Sequence, residues 1–327
     1  MQPKVSVIIP VYKVEKYIGR CSRSLFEQTL EDIEYLFVND CSPDKSIDVL
    51  LGVLNEYPNR KQQVRIIEHS SNMGSAKVRL DGMKAATGKY IIHCDSDDWV
   101  DTNLYKSLYD KAEQTGADIV TCDFVCEYAS GKQSVTYENP MSGNPKQLLR
   151  QMHLKSFYCM TWCRLMRRDF IERHQLYPMP GIDMWEDVSI MLPAFYYSNK
   201  VEKVNGTLYH YFVNDQSLTA QGCSDKSYHD RKATVEFLET FFADKHDADY
   251  RLLISLWKLL AKSFLLQSQV FNPRRWQRDY PEINIDILKI KAISLRMRLL
   301  YKMTSITVFP IKLLMFIKNK MKNNIIK

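Results

Sequence analysis

The sequence has little of what marks fibrous, disordered or membrane-spanning chains. Its 327 residues include only 11 glycines and 12 prolines, and 45% are hydrophobic, which excludes a collagen-like or disordered chain. It contains no run of about 18 apolar residues, so we expect no membrane span. No basic segment followed by a long apolar stretch lies near residue 1, so we expect no signal peptide. The length suffices for a sizeable core and suggests two domains, or one domain with an appendage.

The cysteine patterns of metal sites are also missing. The eight cysteines form no C-x-x-C pair. Two C-x-x-x-C pairs occur, Cys122 with Cys126 and Cys159 with Cys163, without histidines nearby at zinc-finger intervals. We therefore expect reduced, mostly buried thiols in a cytosolic protein.

The formal charge of +7 is confined to one end of the chain. Residues 1–284 carry 35 basic and 37 acidic side chains, whereas residues 285–327 carry eight lysines, two arginines and one acid, Asp286. The protein is therefore not basic in the diffuse way typical of nucleic-acid-binding proteins, and we expect no nucleic acid as a partner.

The basic end is apolar as well. Its most apolar part, the 14 residues Thr304–Ile317, contains Lys312 and Pro310. As a helix it would span about 21 Å, less than the hydrocarbon core of about 30 Å. We expect residues 285–327 to form an amphipathic tail on the anionic inner face of the cell membrane, with the protein cytoplasmic and peripheral. The alternative is a helix packed on the protein body with solvated lysines.

The first 122 residues alternate between two periodicities. Apolar or β-branched runs of strand length are separated by amphipathic stretches of helical length. This pattern predicts an α/β fold, a Rossmann-like open and mainly parallel sheet with helices on both faces. The predicted strands are Val5–Pro10, Ile33–Val38, Val64–Glu68, Tyr90–Cys94 and Ile119–Cys122, and the predicted helices are Val14–Gln28, Asp44–Glu56, Ser75–Ala86 and Thr102–Thr115.

The pattern then becomes less regular and ends in helices. In order, it predicts a hairpin within Phe124–Tyr137, a helix opened by Trp185-Glu186-Asp187, one or two strands within Val201–Phe212, and helices within Ser227–Phe271. We divide the chain into a domain at 1–222 with halves 1–125 and 126–222, a helical extension at 223–284, and a tail at 285–327.

Three carboxylates follow the fourth predicted strand, at Asp95, Asp97 and Asp98. Such a cluster repels itself unless a cation lies in it, because unit charges a few ångströms apart cost on the order of several kcal/mol. Oxygen ligands suit Mn²⁺ or Mg²⁺, which complete their shell with phosphate oxygens. In open α/β sheets ligands bind at this edge, which favours a metal site. The alternative is an N-cap of the helix near Thr102.

Two other segments at the same edge carry polar side chains. Asp40 could accept the imide N–H of a uracil, or form an Asx turn before Pro43. Gly74 lets the backbone approach a ligand, and the helix N-terminus that it precedes suits a diphosphate together with Arg79. Arg79 could equally be an ion-paired helix residue.

Five motifs follow one another in residues 4–125. They are Val5-Ser6-Val7-Ile8-Ile9-Pro10-Val11-Tyr12 with Glu15, Asn39-Asp40-Cys41-Ser42, Asn72-x-Gly74 with Arg79 and Gly82, Ala86-Thr87-Gly88-Lys89-Tyr90, and Asp95-Ser96-Asp97-Asp98. Together they resemble the family 2 glycosyltransferases, and the match extends more loosely to Trp185-Glu186-Asp187, Tyr209-His210-Tyr211 and Ser217-x-Thr219. The chain departs from the family pattern at Leu80, where asparagine is usual, and at Asn39 and Cys41, where Asp and Gly are common.

The resemblance implies the GT-A fold and the transfer of a sugar, with inversion, from a nucleotide-diphosphate donor. The expected donor is a UDP-sugar, the expected acceptor is a glycan or lipid-linked saccharide in surface polysaccharide assembly, and the expected cofactor is Mn²⁺ or Mg²⁺. The two halves of the first domain would bind nucleotide and acceptor.

The resemblance also implies roles for single residues. The donor would be bound by Pro10, Tyr12, Glu15, Asp40, Asn72, Arg79, Asp95 and Ser96. The metal would be bound by Asp97, Asp95 and His210, and the acceptor by Trp185 and Glu186. Asp187 would be the general base that takes the proton of the acceptor hydroxyl as that oxygen attacks the anomeric carbon.

Three of these assignments have structural alternatives. Glu186 and Asp187 could form a charged first helical turn favoured by the helix dipole. His210 could be an ordinary strand residue. Trp185 could be a buried tryptophan.

Two other functions are possible for such a chain. A sugar-phosphate nucleotidyltransferase also has a metal site at a sheet edge. Directly after the first strand, however, such an enzyme is expected to have a glycine-rich loop with an arginine and a lysine, whereas this chain has Pro10-Val11-Tyr12-Lys13. A non-catalytic, membrane-associated scaffold with a degenerate transferase fold would not need carboxylates at 40, 95, 97 and 187.

Overall fold

The computed structural model describes residues 2–136, 144–155, 159–213, 224–245, 248–266 and 270–314. The chain divides into two compact units, one formed by residues 1–148 and 158–217 and the other by residues 149–157 and 218–327. The predicted helical extension and basic tail both fall in the second unit.

The strands of the described chain all belong to one sheet in the first unit. They are β1 (Val5–Val11), β2 (Ile33–Asn39), β3 (Val64–Glu68), β4 (Tyr90–His93), β5 (Trp99–Val100), β6 (Ile119–Tyr128), β7 (Gln133–Thr136), β8 (Arg164–Arg167) and β9 (Val201–Val213).

The helices of the described chain lie in both units. They are α1 (Ile18–Phe26), α2 (Ser46–Glu56), α3 (Ser75–Ala85), α4 (Leu104–Thr115), α5 (Pro145–Gln151), α6 (Arg168–His174), α7 (Glu186–Tyr197), α8 (Asp225–Phe242), α9 (Ala248–Ser263), α10 (Pro273–Arg278) and α11 (Leu295–Ile306), with short 3-10 helices at Pro58–Gln63, Phe264–Leu266, Pro281–Ile285 and Ile287–Lys289.

The sheet has a parallel part and a mixed part. Its order is β3-β2-β1-β4-β8-β6-β9-β5, with β7 paired to β6. Strands β3, β2, β1 and β4 pair in parallel, as βαβ units require. Strand β8 is antiparallel to both β4 and β6, whereas β6 and β9 are parallel. The open α/β sheet predicted from the sequence is confirmed, with its parallel half in the first four strands.

Helices cover both faces of the parallel part. Successive strand residues point to opposite faces, so Val7 and Ile9 face the core formed with α1, α2 and α4. Ile8 faces α3, where a Cβ added at Gly82 would lie 2.4 Å from its Cγ2 atom. This close approach brings the N-terminus of α3 to the edge where β1, β2 and β4 end.

The second unit is helical in its described residues. Trp276 of α10 is fully buried, and its ring lies 5.9 Å from that of Tyr301 in α11. Among the described residues, no helix has both the length and the apolar character that crossing a bilayer requires.

Candidate active site

The three carboxylates that follow β4 have different environments. Asp98 is fully buried, and accepts hydrogen bonds from the Tyr209 hydroxyl at 2.6 Å and from the Phe212 amide at 2.7 Å. Burial and the nearby charges of Asp97 and Asp95 raise the pKa of Asp98 well above its ordinary value. Asp98 therefore ties the acidic loop to β9.

The N-cap interpretation of the acidic loop is wrong. Helix α4 begins at Leu104, and its N-cap is Asn103, without a side-chain capping bond. Because α4 starts several residues after the acids, neither Asp97 nor Asp98 can satisfy its first amides.

Arg79 connects the acidic loop to the first turn of α7. Its Nη2 atom lies 2.7 Å from Asp95 Oδ1, and its Nε atom lies 3.2 Å from Glu186 Oε1. Arg79 is 8% exposed, and its buried Nη1 atom has no hydrogen-bond partner among the described residues. Burial acts to lower the pKa of Arg79, but the charges of Asp95 and Glu186 outweigh it and the pKa is raised.

Glu186 and Asp187 are carboxyl groups with raised pKa values. Burial, followed by the charge of Asp187, raises the pKa of Glu186 to about 8. Burial raises the pKa of Asp187 to about 6, against the opposing influence of Arg79. At neutral pH, Asp187 is therefore mainly ionised. Displaced carboxyl pKa values are common at catalytic sites, where proton transfer needs them.

A loop before α7 closes over the start of α3. Asp183 Oδ1 lies 3.2 Å from the amide nitrogen of Ala76, and the Ser75 hydroxyl donates to the Asp183 carbonyl at 3.3 Å. Gly74 has φ +85°, and a Cβ added there would lie 2.4 Å from Asp183 Oδ1. Only glycine fits both the backbone angle and the contact. Trp185, also in the left-handed region at φ 72°, is the N-cap residue of α7.

Asp40 is bound to the segment that precedes α3. Its carboxylate accepts hydrogen bonds from the amides of Met73 at 2.8 Å and Gly74 at 3.0 Å, and lies 2.8 Å from His69 Nδ1. Asp40 as a whole is only 3% exposed. It fixes the entry to α3, and its contact with a nucleoside stays a prediction.

The remaining donor-binding candidates lie along the same edge. Pro10 is in β1 beside Val38 of β2, and Tyr12 follows at 38% exposure. Glu15 joins the first loop to the second, since its Oε2 atom accepts from the Lys45 amide at 3.1 Å. Asn72 is exposed before α3, and Ser96 is buried in the acidic loop. Their donor contacts stay predictions.

His210 lies on β9 beside the acidic loop, between two other carboxylates. Its Nδ1 atom is 3.0 Å from Glu127 Oε1, and its Nε2 atom is 3.1 Å from Asp101 Oδ1. Its ring stacks on that of Trp99 at 5.1 Å. This arrangement favours the interpretation of His210 as an ordinary strand residue. To bind a metal beside Asp97, the ring would have to give up its contact with Glu127 or with Asp101.

The acidic loop fits a metal bound jointly by protein and substrate. The described residues contain no group of three or more His, Cys, Asp or Glu side chains placed round one ion. With Asp98 bound to β9, the carboxylates of the loop that could bind an ion are those of Asp97 and the half-buried Asp95. One or two carboxylates are what Mg²⁺ and Mn²⁺ take when phosphate oxygens complete the shell.

Several contacts of the site are not among those predicted from the sequence. Arg20 of α1 donates to the Asp97 carbonyl at 3.0 Å, and its guanidinium lies 3.5 Å from the centroid of the Trp99 ring. Trp99 directly follows the acids in the sequence, which is a signal that could have been used. Nothing in the sequence around Asp183 indicates its contact with the Ala76 amide, because the two residues are 107 positions apart.

Comparisons with known proteins show what this chain is similar to. The model of glycosyl transferase family 2 matches residues 6–175, slightly more than half of the chain. EpsJ of Bacillus subtilis, described as an uncharacterized glycosyltransferase, is 36% identical over 227 residues. That alignment covers 67% of this chain and 64% of EpsJ, so the chain spans slightly less than two thirds of that relative.

Two solved structures have a similar fold. S. aureus TarS 1-349 in complex with UDP-GlcNAc has a TM-score of 0.68 and 16% identity, over 94% of this chain and 89% of that one. Mannosyltransferase PcManGT from Pyrobaculum calidifontis, in complex with GDP-Man and Mn²⁺, has a TM-score of 0.55 and 13% identity, over 96% and 87%. At these identities the likeness shows the fold, which is the GT-A fold.

Proposed function

Since the chain belongs to glycosyl transferase family 2, we propose that it is an inverting, metal-dependent transferase of sugars from nucleotide-diphosphate donors. The proposed donor is a UDP-sugar. The proposed acceptor is a hydroxyl of a glycan or lipid-linked saccharide in the assembly of a surface polysaccharide.

One observation carries the proposal: Arg79 holds the acidic loop and the start of α7 together. Its bonds to Asp95 and Glu186 join residues that are separated along the chain by 16 and 107 positions. Asp187 lies close enough for its charge to act on Arg79. A diphosphate, a cationic side chain and a base can therefore meet in one place, which sugar transfer requires.

Asp187 is the proposed general base. Its raised pKa of about 6 leaves it mainly ionised at neutral pH, yet makes it a better proton acceptor than a solvated aspartate. It would take the proton of the acceptor hydroxyl while that oxygen attacks the anomeric carbon from the side opposite the diphosphate. The new bond then has the inverted configuration.

Arg79 is the proposed partner of the leaving diphosphate. Its Nη1 atom is a buried donor without a partner among the described residues, an arrangement that costs about 1–3 kcal/mol until an acceptor reaches it. A phosphate oxygen would supply that acceptor. Glu186, whose pKa is raised, can become protonated as negative charge enters the site.

Mn²⁺ or Mg²⁺ would be held by Asp97 with Asp95, and when bound it would neutralise charge on the leaving diphosphate. The complexes of TarS with UDP-GlcNAc and of PcManGT with GDP-Man and Mn²⁺ support a nucleotide-sugar donor and a divalent ion on this fold.

A ligand screen by thermal unfolding tests the proposal. The purified chain is heated with UDP-GlcNAc, UDP-glucose, UDP-galactose or GDP-mannose, each with and without Mn²⁺. A donor at a hundred times its dissociation constant should stabilise the protein by about 2.7 kcal/mol. We expect one donor to do so in a Mn²⁺-dependent manner, and Asp97→Asn to remove the Mn²⁺ dependence. If none of these sugars stabilises the protein, and none is hydrolysed or transferred, the proposed function is wrong.

A further inference from the structure

Helix α11 packs on the second unit through one face only. On its inner face, Thr304 is fully buried and Tyr301 is 9% exposed. The Tyr301 ring lies against Trp276, and the side chain of Gln277 donates to the Thr304 carbonyl at 2.8 Å. A serine, Ser294, caps the first turn by accepting from the Met297 amide. The helix is therefore attached to the unit along a defined side.

The opposite side of α11 is apolar and exposed. Leu295, Leu299, Met303 and Ile306 are 59%, 48%, 52% and 79% exposed. Their spacing of four, four and three residues places them along one stripe of a helix with about 3.6 residues per turn. We call these four residues the outer face of α11. Scattered apolar residues are normal on a surface, but a contiguous stripe of this kind marks an interaction site.

Exposed apolar side chains continue on both sides of this helix. Ile285 and Leu288 precede it, at 68% and 43% exposure. In the helical residues 309–314, Phe309 is 68% exposed, and Leu313 and Leu314 are nearly half exposed.

The sequence that contains the outer face is basic. Asp286 is the last acid of the chain, and every charged residue after it is a lysine or an arginine. Asp286 itself is 1% exposed and bound to Arg251 and Lys289, so it contributes little negative charge to the surface. The helical period places Arg296 beside one edge of the outer face and Lys302 beside the other.

We propose that the outer face of α11 docks on an anionic lipid bilayer, with its four apolar side chains in the interface and its basic neighbours at the lipid phosphates. An apolar stripe with Arg296 and Lys302 at its edges matches a layer in which hydrocarbon and phosphate lie a few ångströms apart. The cytoplasmic leaflet of the cell membrane has this chemistry. The inference does not depend on the proposed reaction, because it uses no residue of the candidate active site.

Vesicle flotation tests this proposal on the full chain. The vesicles are of pure phosphatidylcholine or of phosphatidylcholine mixed with phosphatidylglycerol. We expect the protein to float with the anionic vesicles, and at least tenfold less with the neutral ones. The double variant Leu299→Glu with Ile306→Glu should lose at least tenfold of the binding to anionic vesicles.

The matched control is Leu51→Glu, which changes a leucine of similar exposure on α2, in the first unit. It should float as the unchanged protein does, and circular dichroism should show all variants folded. Equal flotation with both kinds of vesicle, or undiminished flotation of the double variant, would overturn the proposal. A dimer that the double variant converts to monomer, without any change in flotation, would overturn it as well, because the outer face would then cover a second copy.

Discussion

Arg79 and Asp95 form an ion pair of 2.7 Å, with side chains only 9% and 26% exposed. Such a pair is screened little by salt, and it places a guanidinium directly at the acidic loop. The same guanidinium reaches Glu186 through its Nε atom. The planar, forked shape of arginine makes both contacts possible at once.

We expect Arg79→Lys to bind the nucleotide-sugar donor at least about tenfold more weakly, since a charged hydrogen bond is worth about 1.5–3 kcal/mol. Lysine keeps the charge but cannot reach Asp95, Glu186 and a phosphate together. Isothermal titration with donor and Mn²⁺ measures the change. Arg65→Lys is the control and should bind normally, because Arg65 is half-exposed and pairs with the buried Glu34 away from the acidic loop. Equal affinities of the two variants would remove Arg79 from donor binding.

The predicted elements of the parallel half agree with the structure to within a few residues, because each carries its own periodicity. Strand β4 was predicted as Tyr90–Cys94 and is Tyr90–His93, and α3 was predicted as Ser75–Ala86 and is Ser75–Ala85. The predicted hairpin and the helix opened by Trp185-Glu186-Asp187 are also confirmed. The local hydrophobic pattern is enough to predict a helix that buries a regular apolar stripe or a strand that buries a continuous apolar run.

The contacts within the site could not be predicted in this way. Tyr209 reaches Asp98 across 111 residues, so one of the three acids is bound to β9 and the cluster is smaller than the sequence indicated. For the basic tail, which contains α11, the sequence left an amphipathic anchor on the membrane surface and a helix packed on the protein body as alternatives. The structure assigns the packing to the face of Tyr301 and Thr304, which only tertiary contacts reveal.

Gly74→Ala should destabilise the protein by about 1–3 kcal/mol, because alanine is strained at φ +85° and its Cβ would meet Asp183. Urea unfolding measures the loss. Gly52→Ala is a matched control inside α2, where an added Cβ meets nothing within 4 Å. Its helix propensity should raise the stability by roughly 0.5–1 kcal/mol. Unchanged stability of Gly74→Ala would show that the loop before α7 does not depend on this contact.

Tyr209→Phe should destabilise the protein by about 1–3 kcal/mol and weaken donor binding, because it leaves buried Asp98 without one of its donors. The same hydroxyl accepts from the Asp95 amide at 3.1 Å. The folded-state pKa of Asp98 is raised, so the free energy of unfolding decreases as pH rises from the unfolded pKa through the folded one.

Losing the hydroxyl raises the folded-state pKa of Asp98 further, and the loss of stability should therefore grow as the pH rises. Urea unfolding at two pH values measures it. Tyr211→Phe, two residues along β9, keeps the ring that stacks on Trp162 and is the control. A loss that is the same at both pH values would contradict the role given to Asp98.

The rate of sugar transfer should depend on the ionisation of Asp187. A base works only when deprotonated, so kcat/KM should rise with pH through about 6 and then level off. An ordinary aspartate, with a pKa of about 3.9, would give a flat profile over this range. The profile is measured at saturating Mn²⁺. A rate that stays constant well below pH 6 would mean that another group takes the proton, or that chemistry does not limit the rate.

The assignment of Asp187 as the base is tested most directly by Asp187→Asn in single-turnover transfer, with donor affinity measured on the same preparation. Asparagine keeps the Oδ1 atom that accepts from the Val188 amide at 2.8 Å, so the start of α7 should be preserved. Asp110→Asn, on the exposed side of α4, is the control. We predict normal donor binding and a transfer rate lower by about 10²–10⁴-fold for Asp187→Asn alone. Transfer by that variant at the rate of the unchanged protein would contradict the account.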